Sequence, residues 1–99
     1  MFNEEMLSKL ADLKKQTEES KDRLDKFVIT EDAGGGLIQV TMNGNRELQA
    51  IKINADIKSM DNEDLEDLLT VAFNRVLEKV NEVNEKEVMN SAQSLFPGL

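Results

Sequence analysis

Any reactive chemistry in this chain has to come from carboxylates and amines. The 99 residues include no His, Cys, Trp or Tyr, but 20 Asp/Glu and 12 Lys/Arg. A general base would therefore be an acid or a lysine moved from its ordinary pKa by burial. These residues fall at solvated positions of helical segments, so no catalytic residue and no enzymatic activity are expected. The densest acidic run, Asp61 with Glu63, Asp64, Glu66 and Asp67, lacks the alternating ligands, central Gly and final Glu of a calcium loop. Asp61 followed by Asp64 instead resembles a capping box at a helix start, where the dipole favours negative charge. Gly34-Gly35-Gly36 is not a phosphate cradle, because a strand pattern follows it where a helix N-terminus would be needed. No metal, cofactor or small-molecule substrate is expected.

The elements that must carry these residues can be read in order. Residues 3–26 predict one amphipathic helix. Its seam is Met6, Leu10, Leu13, Thr17, Ser20, Leu24 and Phe27, spaced alternately four and three. The seam softens at Thr17 and Ser20, which predicts packing there against small or polar neighbours. Glu5–Lys9, Glu19–Arg23 and Asp22–Lys26 are acid-first (i, i+4) pairs worth about 0.2–0.5 kcal/mol each. Residues 27–31 (FVITE) predict a short first strand.

The chain is organised around residues 34–53, GGGLIQVTMNGNRELQAIKI. Alternating residues on both sides of Asn43-Gly44 predict a hairpin. A two-residue turn at Gly44-Asn45 sets Met42 opposite Glu47, Val40 opposite Gln49 and Ile38 opposite Ile51. A turn at Asn43-Gly44 shifts the pairing by two and keeps the faces. A three-residue loop would turn Ile51 and Ile53 away from Ile38 and Val40, so the pattern selects an even-numbered loop. Leu37, Leu48 and Ala50 then share the second face. From Asp61 to about Ser91 a second helix carries Leu65, Leu68, Leu69, Ala72, Phe73, Val76, Val80 and Val83 on one face, with Val88 and Met89 out of phase.

The resulting order is α-β-β-β-α, an α+β fold with a three-stranded antiparallel sheet flanked by two long helices. One domain spans residues 1–93, with a loose tail at 94–99. Two helices exceed what three strands can cover, and the half-apolar second face of Leu37, Leu48 and Ala50 predicts a homodimer interface. No secretory signal or membrane span is evident in the pattern, so a soluble cytoplasmic protein is expected.

Charge is unevenly placed. Of the net −8, residues 61–99 hold three bases against nine acids, while residues 1–26 hold six against seven. On a helical projection with Lys9 at zero, the apolar seam centres near about 60°, Lys14 and Lys21 fall near about 120–140°, Arg23 near about 320° and Lys15 near about 250°. Charge alone gives no basic stripe.

Gly36-Leu37-Ile38-Gln39-Val40-Thr41-Met42-Asn43-Gly44 resembles the G-x-V-x-V-x-x-N-G hairpin of the YbaB/EbfC family of bacterial nucleoid-associated DNA-binding proteins. Ile51-Lys52-Ile53-Asn54 is similar to that family's third strand, Leu65-Glu66-Asp67-Leu68-Leu69 with Ala72-Phe73-Asn74 to its second helix, and Pro97-Gly98 to its tail. The resemblance implies a cytoplasmic, nucleoid-located homodimer shaped like tweezers, binding duplex DNA through its helices. Carried to this chain, the phosphate contacts would be Lys9, Lys14, Lys15, Lys21 and Arg23, assisted by Arg46. The alternative is an acidic dimeric protein-interaction module meeting its partner around residues 78–87.

Overall fold

In a computed structural model, which describes residues 3–95, the elements follow the order α1 (Glu4–Asp25), β1 (Val28–Ala33), β2 (Ile38–Asn43), β3 (Leu48–Ile53) and α2 (Asn62–Leu95). Helix α1 begins where Asn3 accepts the Met6 N–H on its side-chain oxygen at 2.8 Å, with Glu4 and Glu5 in the first turn and Arg23 in the last. That arrangement satisfies an otherwise unpaired amide and opposes the helix dipole at both ends. β1 starts one residue later and runs two residues further than the sequence pattern implies. α2 continues past Ser91 and takes in Ser94 and Leu95, which that pattern assigns to a loose tail; the rest of the tail lies outside the described residues.

The three strands form one antiparallel sheet in the order β1-β2-β3. Helix α2 lies across β1 and β2. Between helix and sheet sits the core, with Ala33, Ile38, Val40 and Met42 of the sheet fully buried against Ala72, Val76 and Val80. β3 is exposed along its whole length. Between β1 and β2, Gly34, Gly35 and Gly36 all take positive φ, a run of conformations that only glycine adopts without cost.

The hairpin loop corrects the sequence expectation. The Asn43 N–H bonds to the Glu47 carbonyl at 3.0 Å, and the Arg46 N–H to the Asn43 carbonyl at 3.1 Å. The loop is therefore three residues, Gly44-Asn45-Arg46, with Arg46 in the left-handed region at φ 64°. A three-residue loop alone would reverse the faces of β3. A bulge repairs this: Met42 pairs with Leu48 but Thr41 pairs with Ala50, leaving Gln49 as the extra residue. Val40 then meets Ile51 and Ile38 meets Ile53. Two odd-residue steps cancel, which parity reasoning cannot distinguish from none.

The bulge also moves Leu48. Opposite Met42, it belongs to the helix-covered face with Ile51 and Ile53. Ala50 lies opposite Thr41 on the other face, where Thr30 and Thr41 share a hydroxyl hydrogen bond at 2.8 Å. Leu37, Leu48 and Ala50 therefore do not form one face, and the outer face of the sheet is mostly polar, with Thr30, Asp32, Gln39, Thr41 and Lys52 beside Val28 and Ala50.

The two helices run antiparallel: Gln16 donates to Ser94, and Ser20 and Arg23 both donate to Glu87. At 66 × 22 × 22 Å, with a radius of gyration of 19.2 Å, the chain is far more extended than a compact one of this size, whose radius of gyration is roughly 13 Å.

Gly44 joins the hairpin to both helices. Its N–H lies 2.9 Å from the Leu24 carbonyl, and its carbonyl accepts from Asn84 of α2 at 3.0 Å. Its φ is not positive; glycine is needed because a Cβ here would stand 2.7 Å from the Leu24 carbonyl oxygen and 3.1 Å from its Cα. Gly44→Ala should therefore destabilise by about 2 kcal/mol, as overpacking against backbone does, and Gly44→Val by more. Urea unfolding checks this, with Gly35→Ala as a comparison: Gly35 has open space around it and carries only the left-handed backbone cost of about 1 kcal/mol.

Candidate nucleic-acid interface

The basic residues to which the sequence points divide into two groups. Lys14, Lys15 and Lys21 of α1 are exposed and have no ion-pair partner among the described residues. Lys9 lies 3.7 Å from Glu5, both side chains 77% exposed, a solvent-screened pair that competes little with another anion.

Arg23 and Arg46 are committed elsewhere. The Arg23 Nε donates to Glu87 Oε1 at 2.8 Å and an Nη approaches the same oxygen at 2.6 Å. Ser20 Oγ donates to it as well, at 3.0 Å. Three donors on one carboxylate oxygen make the main polar tie between α1 and α2. Arg46 donates to Asn81 Oδ1 at 2.6 Å, so the hairpin tip is folded against α2.

Around that tip lies a set of amides that sequence reasoning does not single out. Asn43 Oδ1 accepts the N–H groups of Asn45 and Glu47. The Asn45 side chain donates to the Lys21 carbonyl and to Asp25. Asp25 is thereby drawn into the structure. The softened seam at Ser20 is the available signal for the Glu87 tie; nothing in the local sequence announces Glu87 itself, 67 residues away.

Electrostatically the chain is uneven. α1 exposes Lys9, Lys14, Lys15 and Lys21 beside seven exposed acids, and Lys26, Lys52, Lys58, Lys79 and Lys86 are exposed outside it. Along α2 the acids Glu63, Glu66, Glu78, Glu82 and Glu85 are exposed. Among the described residues no group of three or more His, Cys, Asp or Glu is placed to hold a metal ion, and no helix is long and apolar enough to cross a membrane.

The described frame is a pair of antiparallel helices on a three-stranded sheet, without a metal cluster among the described residues. The profile of the YbaB/EbfC DNA-binding family matches residues 1–95. A nucleoid-associated protein of Flavobacterium johnsoniae is 36% identical over 94 residues, covering 95% of this chain and 88% of that protein. Another of Hahella chejuensis is 29% identical over 93 residues, covering 87% and 86%. The crystal structure of an uncharacterized protein from Helicobacter pylori superposes with a TM-score of 0.77 at 25% identity, covering 91% of this chain and 97% of that one. The chain belongs to the YbaB/EbfC DNA-binding family.

The Arg23–Glu87 tie sets a pH dependence. Hydrogen bonding from Arg23 is the main cause holding the Glu87 carboxyl below its ordinary value, against a smaller opposing effect of burial. A carboxylate depressed on folding stabilises above its unfolded pKa and loses that contribution as pH falls through the folded value. Glu87→Gln should therefore cost about 1 kcal/mol at pH 7, given that Arg23 is half exposed. The difference from wild type should shrink as pH drops below about 4. Thermal melts across pH 3–7 measure it.

Proposed function

We propose that this protein is a non-enzymatic, nucleoid-associated DNA-binding protein that holds duplex DNA as a homodimer, through phosphate contacts from α1. The observation that carries this is a set of exposed, untied lysines on a family member's frame. Lys14, Lys15 and Lys21 of α1 are exposed and have no ion-pair partner among the described residues, and although α1 also exposes seven acids, the larger acidic excess lies on α2. With −8 per chain a dimer carries twice that, so only such a local surface can approach a polyanion. Lys9 adds to it once released from Glu5. Arg23 and Arg46 act instead as ties that hold α1 and the hairpin tip to α2. A cytoplasmic, nucleoid location follows from the same reading, supported by the names of the relatives.

The dimer surface we propose is the uncovered margin between β3 and α2. Leu48, Ile51 and Ile53 are 46–48% exposed there, and Phe73 is 40% exposed. Ile51, Phe73, Leu69 and Val40 line one shallow depression. Covering the exposed half of each of these large side chains would contribute about 1 kcal/mol apiece. Ala50 and Leu37 contribute less, since Ala50 lies on the polar face.

Two experiments test these assignments. Changing Lys14, Lys15 and Lys21 together to Gln should weaken binding to all duplex sequences alike, because phosphate contacts carry no base information. It should also flatten the salt dependence by about 0.9 in log–log slope for each phosphate no longer neutralised. Gel-shift titrations over a salt series read both. Undiminished binding would exclude this surface, and no binding by the wild type at low salt would favour the acidic interaction module. For the dimer, Ile51→Asp should raise the dissociation constant at least about tenfold by sedimentation, the equivalent of about 1.4 kcal/mol; Ala50→Asp should act weakly.

A further inference from the structure

The far end of the helix pair carries a second apolar surface, remote from the β3 margin. α1 and α2 are tied by Gln16–Ser94 and by the Glu87 contacts, and α2 is described only to Leu95. The first three turns of α1 extend beyond that level. Their apolar residues have no cover among the described residues: Met6, Leu10 and Leu13 of the seam and the flanking Leu7 are 44–54% exposed. The seam runs without a break into a groove of about 460 Å³ between the helices, whose walls include Leu13, Thr17, Leu24, Val88, Ala92 and Leu95. Val88 and the adjacent Met89 are 58% and 57% exposed.

We propose that this end is a second self-association surface, where the helix pair of one copy packs against the helix pair of another as a four-helix bundle. Two observations select a second copy as the occupant. The first is area. An unfolded chain exposes about 1.45 Å² per dalton, so those six residues at their observed exposure leave about 500 Å² on one copy. Complete cover of these residues on two copies would bury up to about 1,000 Å², where specific interfaces begin.

The second is charge. Residues 4–17 hold Glu4, Glu5 and Asp12 against Lys9, Lys14 and Lys15. This end is balanced in a chain of net −8, so two copies meet here without the repulsion that α2 imposes elsewhere. A face of mixed charge around an apolar seam is also self-complementary under a two-fold axis. The contact is separate from the β3 margin, so the two together link dimers into larger assemblies. Lys15 lies opposite the seam on the helical projection, but Lys14 and Lys21 flank it and Lys21 lines the groove, so this contact and a duplex compete for part of α1.

Sedimentation from low micromolar to submillimolar concentration tests it. Wild type should show a species of twice the mass of its basic unit at the upper concentrations. Leu10→Asp and Val88→Asp should each remove that species, with helicity unchanged by circular dichroism. The chain has no cysteine, so a single introduced thiol reports contact directly. Leu10→Cys should cross-link between copies at least about tenfold faster than Glu63→Cys at the other end of α2, as expected for a raised effective concentration. If mass is the same for wild type and Leu10→Asp, or the two thiols cross-link at equal rates, the seam is covered from within its own chain or by something else, and the proposal fails.

Discussion

The close approach of Gly44 to the backbone of Leu24 is the constraint on which the rest of the structure depends. The hairpin tip can enter between the helices only because residue 44 lacks a side chain; a Cβ would sit 2.7 Å from a carbonyl oxygen. Once there, its N–H lies within hydrogen-bonding distance of both the Leu24 and the Phe27 carbonyls. The Leu24 carbonyl lies in the last turn of α1, where it also accepts the Phe27 N–H at 3.2 Å, and the Phe27 carbonyl lies just beyond the helix. Asn84 reaches the Gly44 carbonyl from α2. One small residue thus fixes the sheet, the end of α1 and the middle of α2 relative to one another, and the direction in which both helices project follows from it.

Because the hairpin holds the helices at one end, the rest of their length is held by few contacts. The Ser20–Arg23–Glu87 group supplies the polar part of that hold. It uses a basic residue that would otherwise be available to phosphate, and breaking it would leave the Glu87 carboxylate partly buried and without its donors, a larger penalty than one surface phosphate contact returns. The same logic applies to Arg46 on Asn81. Cations at the junction of the elements stabilise the frame; Lys14, Lys15 and Lys21 of α1 have no such tie among the described residues.

The elongated shape has a further consequence. A sheet of three strands under one side of a long helix buries a narrow core, and β3 lies outside it. Apolar side chains that a compact chain would enclose remain at two separated places, the β3 margin and the ends of the helices. Both are continuous surfaces rather than scattered residues, which is what distinguishes an interface from ordinary surface hydrophobicity.

Period and composition alone determined the element order, because alternation at Ile38, Val40 and Met42 and the four-three seam of α1 each report a face that must be buried whatever the partner. The softening at Ser20 was legible for the same reason. The hairpin register was not: a three-residue loop plus a bulge at Gln49 leaves the same parity at Ile51 as an even loop with no bulge, and only the hydrogen bonds of Asn43 and Glu47 separate the two. That difference moved Leu48 from one face of the sheet to the other. The role of Gly44 was equally hidden, since a turn glycine looks the same in sequence whether it serves backbone freedom or close approach. The basic residues showed the limit most plainly. Lys14 and Arg23 fall on opposite sides of a helical projection, but nothing in it shows which of them has a partner. What makes one free and the other a tie is Glu87, brought beside Arg23 from 64 residues away by the folding of two helices against each other, and no local pattern encodes that distance.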